Sequence, residues 1–151
     1  MEQENLVDKD QQLSLKLFIV LTRALEAIQK QIIKDIKNYN LNLSEFSVLE
    51  LLYHKGDQPI QKIGQKVLLA SSSITYVIDK LEEKKYIKRK ACPKDRRVTY
   101  AVITDEGKNF MDGIFPKHKK AISQIMAGLS TEEKATMIPQ LKKLGLYAQN
   151  L

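Results

Sequence analysis

Two short clusters of side chains carry the groups that could do chemistry in this chain. The first is rich in hydroxyls and the second in charges: Ser71, Ser72, Ser73, Thr75, Tyr76 and Lys80, then Lys94, Asp95, Arg96 and Arg97. Hydroxyls and a lysine can hydrogen-bond to base edges in the major groove, while arginines bind phosphates and enter the electronegative minor groove. These residue types indicate double-stranded DNA as a partner.

The distribution of charge also favours a polyanion. The stretch from His54 to Thr104 holds 12 Lys and Arg and 5 Asp and Glu, a net charge of +7 that equals the net charge of all 151 residues. The rest of the chain is therefore neutral. Phosphates supply most non-specific affinity through counterion release, so a charge this concentrated favours nucleic acid over the alternative of a solvated lysine-rich surface.

Apolar spacing predicts the elements that position both clusters. Periodic segments at 60–68 and 74–81 predict two helices separated by a break at 69–71. Alternating runs at 86–90 and 98–103 predict a β-hairpin with a basic tip. Helix, turn, helix and hairpin in this order fit a winged helix-turn-helix, whose second helix enters the major groove.

The second of these helices should bury one face and expose the other. The face expected in the core is apolar: Ile74, Val77, Ile78 and Leu81. The hydroxyl cluster then points toward the groove. For Ser71, capping of the helix is as good an interpretation as base contact, whereas Ser72 and Ser73 favour base contact. On the hairpin, Asp95 should orient Arg97 through a charge-assisted hydrogen bond.

The chain before the motif is predicted to be helical. Residues 1–10 are polar and expected to fray, and 11–38 form one long helix because apolar residues recur every three or four positions without Gly or Pro. Ser44 is expected to cap a helix that ends near His54. Pro59 suits the first turn of the following helix.

Two more helices are predicted in residues 105–151. Thr104 should cap the first, which Pro116 should kink or end early. Ser130 should cap the last, in which Pro139 implies a kink or a boundary. The apolar faces at both ends of the chain have no partner in the central motif, so the simplest partner is a second copy related by a two-fold axis.

Length and composition predict one domain over 1–151, mainly α, in which the winged helix-turn-helix of 44–104 carries a small β-hairpin wing. Residues 11–38 and 105–151 are its dimerisation helices. No apolar run approaches the ~20 residues of a membrane span, and the polar start is unlike a signal peptide. We therefore expect a cytoplasmic protein that does not bind membranes, associated with the nucleoid when it is bound to DNA.

Neither catalysis nor a bound cofactor is expected. His54 and His118 are isolated in the sequence, and no glycine-rich phosphate loop or cluster of metal ligands is present. Cys92 is the single cysteine and excludes an internal disulfide. Its neighbours Lys90 and Lys94 could lower its pKa and make it an oxidant sensor, but the favoured interpretation gives it no regulatory role.

Two motifs make the chain resemble the multiple-antibiotic-resistance-regulator (MarR) family of bacterial winged-helix repressors. The stretch 95–97, followed after five residues by Ile-Thr-Asp-Glu-Gly at 103–107, is similar to the family's Asp-x-Arg wing and Leu-Thr-x-x-Gly helix entry. Residues 72–82 resemble its recognition helix. Tyr76 stands where many members have Arg. Lys85 replaces the usual glycine, and the turn there is expected to adjust slightly rather than keep a left-handed backbone.

This resemblance implies a homodimeric, sequence-specific repressor that binds a pseudo-palindromic operator and is released by a small aromatic or phenolic effector. It also implies an effector crevice between the dimerisation helices and the winged domain, for which Phe18, Phe46, Tyr53 and His54 are candidates. Aromatic residues at helical spacing are more often part of a core. The alternative function is a winged-helix interaction or architectural module without ligand control.

Overall fold

The computed structural model describes residues 1–67 and 73–151, which form six helices and one small antiparallel sheet. In chain order the elements are α1 Glu2–Lys37, α2 Leu43–Lys55, β1 Gln58–Pro59, α3 Ile60–Lys66, α4 Ile74–Glu83, β2 Ile87–Ala91, β3 Thr99–Ile103, α5 Asp105–Ile125 and α6 Thr131–Gln149. The mainly α fold with a hairpin wing is confirmed. The predictions for Ser71, Ser72 and the break at 69–71 fall outside the described residues.

The first two helices begin earlier than predicted. The start of α1 is Glu2 rather than Gln11, because 1–10 contains no Gly or Pro and has acidic residues in the first turn, where they favour the positive end of a helix. The N-cap of α2 is Asn42 rather than Ser44. Its side chain accepts a hydrogen bond from the Glu45 amide at 2.8 Å, and the Glu45 carboxylate completes a capping box.

Proline does not end either C-terminal helix. Pro116 lies inside α5, which continues to Ile125, so the expectation of an early end is wrong. Ile114 and His118, on either side of it, are both buried, and this packing outweighs the hydrogen bond that proline cannot make. Pro139 likewise lies within α6.

The core lies where α2, α3 and α4 meet the sheet and α5. The predicted inner face of α4 is confirmed for Val77, Ile78 and Leu81, each no more than 2% exposed, while Ile74 is half-buried. In contrast, Ile36 is the single buried residue of α1, and no residue of α6 is buried. Most of the two long terminal helices therefore lies outside this core.

A two-residue strand escaped the sequence analysis. Gln58 and Pro59 of β1 pair with Ala101 and Tyr100 of β3, which gives the sheet the order β1-β3-β2. Two residues are too few to show an alternating pattern, and proline is tolerated only at a sheet edge or a strand start. The hairpin strands β2 and β3 begin and end within one residue of their predicted limits at 86–90 and 98–103.

The turn between α4 and β2 keeps the left-handed backbone. Lys85 has φ +65°, so the expectation that this turn adjusts is wrong. Its backbone is fixed from both sides: its amide donates to the Glu82 carbonyl at 2.9 Å, and its carbonyl accepts from the Thr104 hydroxyl at 2.6 Å. These hydrogen bonds hold a conformation that costs a non-glycine residue about 1 kcal/mol or more.

Gly107 is required where α5 begins. A Cβ there would lie 2.1 Å from the Tyr86 carbonyl oxygen and 2.9 Å from Ile103. We expect Gly107→Ala to lower the free energy of unfolding by about 1–3 kcal/mol or more, because the backbone of Tyr86 must move. Gly113→Ala is the matched control on the same helix. Its Cβ meets nothing within 4 Å, so it should stabilise by up to ~1 kcal/mol. Urea denaturation measures both, and equal effects would contradict this account.

Candidate nucleic-acid interface

The exposed face of α4 carries the described part of the hydroxyl cluster. Ser73 is the N-cap residue, but its side chain makes no capping hydrogen bond. Thr75 and Tyr76 are exposed, and the Tyr76 side chain remains 57% accessible although the Lys80 ammonium lies 5.4 Å from its ring centroid. Thr75 and Tyr76 lie outside the buried face formed by Val77, Ile78 and Leu81, so their hydroxyls are available to contact base edges in a major groove.

The tip of the β2–β3 hairpin presents its basic side chains to solvent. Lys94 and Arg96 are exposed, and the Arg97 side chain is 90% exposed. The predicted Asp95–Arg97 hydrogen bond is present: Nε of Arg97 donates to Asp95 Oδ1 at 3.1 Å, and its backbone amide donates to the same oxygen at 3.0 Å. Both hydrogen bonds lower the pKa of Asp95, so the carboxylate remains ionised at neutral pH.

Arg89 joins the wing to the recognition helix. From β2, its guanidinium reaches Asp79 Oδ1 at 2.5 Å and Glu82 Oε1 at 2.7 Å, both on α4. The hydrogen bond with Asp79 is the main cause of its raised pKa. This contact escaped the sequence analysis, which counted Arg89 with the phosphate-binding charge. The signal in the sequence that could have indicated this contact is the spacing of Asp79 and Glu82, which lie three residues apart on one helix. The recognition helix and the wing are thus held together by ion pairs.

The tip is also tied to α3. The Gln61 side chain donates to the backbone carbonyl of Arg97 at 3.3 Å. Cys92, at the opposite end of the tip, is half-buried, and its amide donates to the Val98 carbonyl at 2.9 Å. The backbone around the arginines is therefore fixed at both ends, while their side chains extend into solvent.

Aromatic side chains of α2 and α5 meet around a second region. Phe46 is buried, with its ring centroid 4.4 Å from that of His118. The Tyr53 hydroxyl donates to Asp112, a bond that raises the pKa of Tyr53, and the His54 ring lies 4.6 Å from Phe115. Phe18 is different, because it is 69% exposed on α1. Three of the four residues predicted for an effector crevice are thus brought together.

His118 is not isolated, contrary to the sequence interpretation. Its Nδ1 lies 3.0 Å from Asp35 Oδ2, and both side chains are largely buried between α1 and α5. Asp35 also accepts a hydrogen bond from the Tyr39 hydroxyl at 3.2 Å. The two partners lie 83 residues apart, so no sequence spacing could reveal the pair.

Two cavities adjoin these aromatic residues. The larger, about 440 Å³, lies between α2, α5 and α6 and is lined by Glu50, Phe115, His118, Lys119, Ile122, Ser123, Met126 and Lys134. The other, about 420 Å³, is lined by Ser47, Glu50, Leu51, His54, Lys55, Lys66 and Val67. His54 lines the second cavity. Phe46 and Tyr53 line neither cavity, but they pack against His118 and Phe115, which line the first. Phe18 lines neither cavity. Within 1–67 and 73–151, no group of acidic, His or Cys side chains is suited to hold a metal.

A recognition helix with an exposed polar face, joined to a basic hairpin, defines a winged helix-turn-helix DNA-binding protein. The chain belongs to the MarR family. The family model described as "MarR family" matches residues 41–99. The HTH-type transcriptional regulator MhqR of Bacillus subtilis is 54% identical over 136 residues, which cover 90% of this chain and 94% of that protein.

Solved structures show the same fold at lower identity. Sco3205, a MarR family transcriptional regulator from Streptomyces coelicolor solved in complex with DNA, has a TM-score of 0.75 at 18% identity and covers 89% of this chain and 88% of its own. BpsR of Bordetella bronchiseptica, whose DNA binding is regulated by 6-hydroxynicotinic acid, has a TM-score of 0.73 at 21% identity, covering 83% and 90%. No helix in the described parts of the chain is long and apolar enough to cross a membrane.

Proposed function

We propose that this MarR-family regulator is a homodimeric, sequence-specific repressor that binds a pseudo-palindromic operator and leaves it when a small aromatic or phenolic effector binds. The observation that carries the proposal is the rigid junction of α4 and the wing through Arg89, with the polar face of α4 and the arginines of the tip both exposed. The whole chain acts as one cytoplasmic domain, without catalysis or a cofactor.

Within this proposal, the major groove is contacted by Ser73, Thr75, Tyr76 and Lys80, and also by Ser71 and Ser72, which lie outside the described residues. Lys94, Arg96 and Arg97 face the backbone and the minor groove, and Asp95 keeps Arg97 extended. The exposure of Thr75, Tyr76 and Arg97 and the Asp95–Arg97 hydrogen bond support these roles, since exposed polar groups are available to contact bases and phosphates. Cys92 has no regulatory part.

The apolar surface of the terminal helices supports the homodimer. Along α1, Leu13, Leu17 and Val20 are each about half exposed, and Leu141 and Leu144 of α6 are at least 40% exposed. Burying such apolar surface stabilises an interface by roughly 25 cal/mol per Å². When two copies of one chain bury the same patch against each other, the dimer has two-fold symmetry. Light scattering at micromolar concentration should give twice the chain mass of 17.3 kDa. The mass of a single chain would contradict the homodimer.

The cavity between α2, α5 and α6 is the proposed effector site. Apolar walls from Phe115, Ile122 and Met126 suit an aromatic ring, and a few polar groups suit its substituents. His118 is held by Asp35 and lines this cavity, so its remaining ring nitrogen can hydrogen-bond to a phenolic hydroxyl. The regulated binding of BpsR shows that this fold admits control by a small hydroxylated aromatic acid.

Filling this cavity tests the effector site. Ser123→Trp puts an indole at the cavity wall and should lower calorimetric affinity for simple phenols and hydroxybenzoates by about tenfold or more, while DNA binding stays intact. Lys117→Trp, at an exposed position of the same helix that does not line the cavity, is the matched control. Equal affinity in both variants would contradict this site. If no such compound binds the unaltered protein, the alternative of a module without ligand control is favoured.

A further inference from the structure

Lys84 belongs to the basic segment, but its ammonium group points into the protein. It is the C-cap residue of α4, and its Nζ donates to the Asn40 carbonyl at 2.8 Å and to Glu45 Oε2 at 2.7 Å. The Glu45 side chain is only 9% exposed and that of Lys84 is 32% exposed. This is the best-shielded carboxylate–lysine pair in the part of the chain that the structure describes.

The two acceptors lie at the bend between α1 and α2. Asn40 is in the connecting turn, where it has φ +59°, and Glu45 is in the first turn of α2, where it completes the capping box with Asn42. A single ammonium group therefore ties the end of the recognition helix to the turn that follows α1 and to the first turn of α2. Because this turn follows α1, which carries the apolar face proposed to pair two chains, the contact links the recognition helix to a proposed dimerisation helix.

We propose that Lys84 and Glu45 form a latch that sets the position of the recognition helix relative to α1, and hence the distance between the two recognition helices of the dimer. Lys84 is then a positioning residue and not a phosphate ligand. The inference rests on the proposed homodimer. Half-sites read by a two-fold dimer must match the separation of its recognition helices, so the latch acts on the operator spacing that the protein accepts.

Burial and geometry explain why the latch stays closed on DNA. An ion pair between exposed groups contributes little and exchanges readily for a phosphate. Glu45 is almost completely shielded, and removing its cation leaves an unpaired charge in the protein, which is far more costly. The second hydrogen bond, to Asn40, holds the ammonium group on the side of the bend. Lys84 therefore stays with its protein partners while exposed lysines bind phosphates.

Two variants and one control separate positioning from phosphate binding. Lys84→Met removes the ammonium group. Glu45→Gln removes the negative charge and replaces the oxygen that accepts from Lys84 with an NH2 group, while its amide oxygen preserves the capping box. Lys88→Met is the control, since Lys88 is exposed on β2 in the same basic segment. Binding is measured by fluorescence anisotropy on duplexes selected from a random pool by the unaltered protein, on versions with one base pair added or removed between half-sites, and on a scrambled duplex at several salt concentrations.

Lys84→Met and Glu45→Gln should each lose roughly tenfold or more on the selected duplex, the scale of one charge-assisted hydrogen bond. Their preference for the selected spacing over the altered spacings should shrink, while binding to scrambled duplex and the salt slope stay unchanged. Lys88→Met should instead weaken binding to every duplex and lower the salt slope by up to about 1 per subunit.

The latch would be refuted by either of two results. If Lys84→Met behaves like Lys88→Met, Lys84 is a phosphate ligand. If both latch variants keep the spacing preference of the unaltered protein, the pair only stabilises the fold. Light scattering on the same samples keeps this test separate from the homodimer, because a monomeric unaltered protein refutes the proposed function, whereas dimeric samples with unchanged spacing preference refute the latch alone.

Discussion

DNA affinity should fall about 10³- to 10⁵-fold between ~50 and ~200 mM salt if the dimer contacts roughly 6–10 phosphates. The structure supplies the cations for these contacts on exposed positions of the wing and its strand, among them Lys88, Lys94, Arg96 and Arg97. Each phosphate contact releases condensed counterions, so the logarithm of the affinity falls linearly with the logarithm of the salt concentration, with a slope proportional to the number of contacts. Anisotropy titrations of one labelled duplex over this salt range measure the slope.

Lys84 and Arg89 refine this expectation. Both are counted in the +7 of the basic segment, but they are paired with Glu45, Asp79 and Glu82 within the protein. The exposed cations alone should therefore account for the slope, and a scrambled duplex should show nearly the same slope as a selected one. A flat response to salt would mean that the basic segment is an ordinary solvated surface.

The recognition helix and the wing should respond differently to substitution, which is the second large effect we expect. Arg97→Ala and Arg96→Ala should weaken binding to all duplexes and lower the salt slope, because a cation in the narrow minor groove reads a degenerate base pattern. Thr75→Ala should instead cost about 1–3 kcal/mol at one position of the site and change which duplexes are bound. Titration of the three variants against selected and scrambled duplexes gives both quantities.

Asp95→Asn is the matched control for the wing. It removes negative charge, so simple electrostatics predicts tighter binding, but it also weakens the hydrogen bond from Arg97 Nε. Weaker binding of Asp95→Asn would show that orientation of Arg97 outweighs repulsion of phosphate. We assign sequence preference to the recognition helix and non-specific binding to the wing. A wing variant that altered sequence preference and left non-specific binding intact would contradict this assignment.

Local patterns were enough to predict the motif itself. The face of α4 that carries Val77, Ile78 and Leu81 followed from helical spacing, and the hairpin followed from alternation on both sides of a basic tip. The Asp95–Arg97 bond was predictable because its partners lie two residues apart. Structure fixed by neighbours in the chain can be inferred from the chain.

Other features depend on contacts between distant residues. The continuation of α5 past Pro116 depends on burial of the helix on both sides of the proline, and β1 exists only because β3 supplies its hydrogen bonds. The partners of His118, 83 residues distant, and Lys84, 39 residues distant, carry no signature in spacing. Counting charges likewise cannot distinguish a lysine that meets phosphate from one that closes a buried pair.

Titration of the protein with duplex DNA from the region upstream of its own coding sequence, against a scrambled duplex of equal length and composition, tests the central claim most directly. Specific binding by a dimeric winged helix-turn-helix regulator should be at least about 10³-fold tighter than non-specific binding at physiological salt. The account predicts such a ratio, with two chains bound per upstream duplex. Equal affinity for both duplexes, or one chain per duplex, would contradict it.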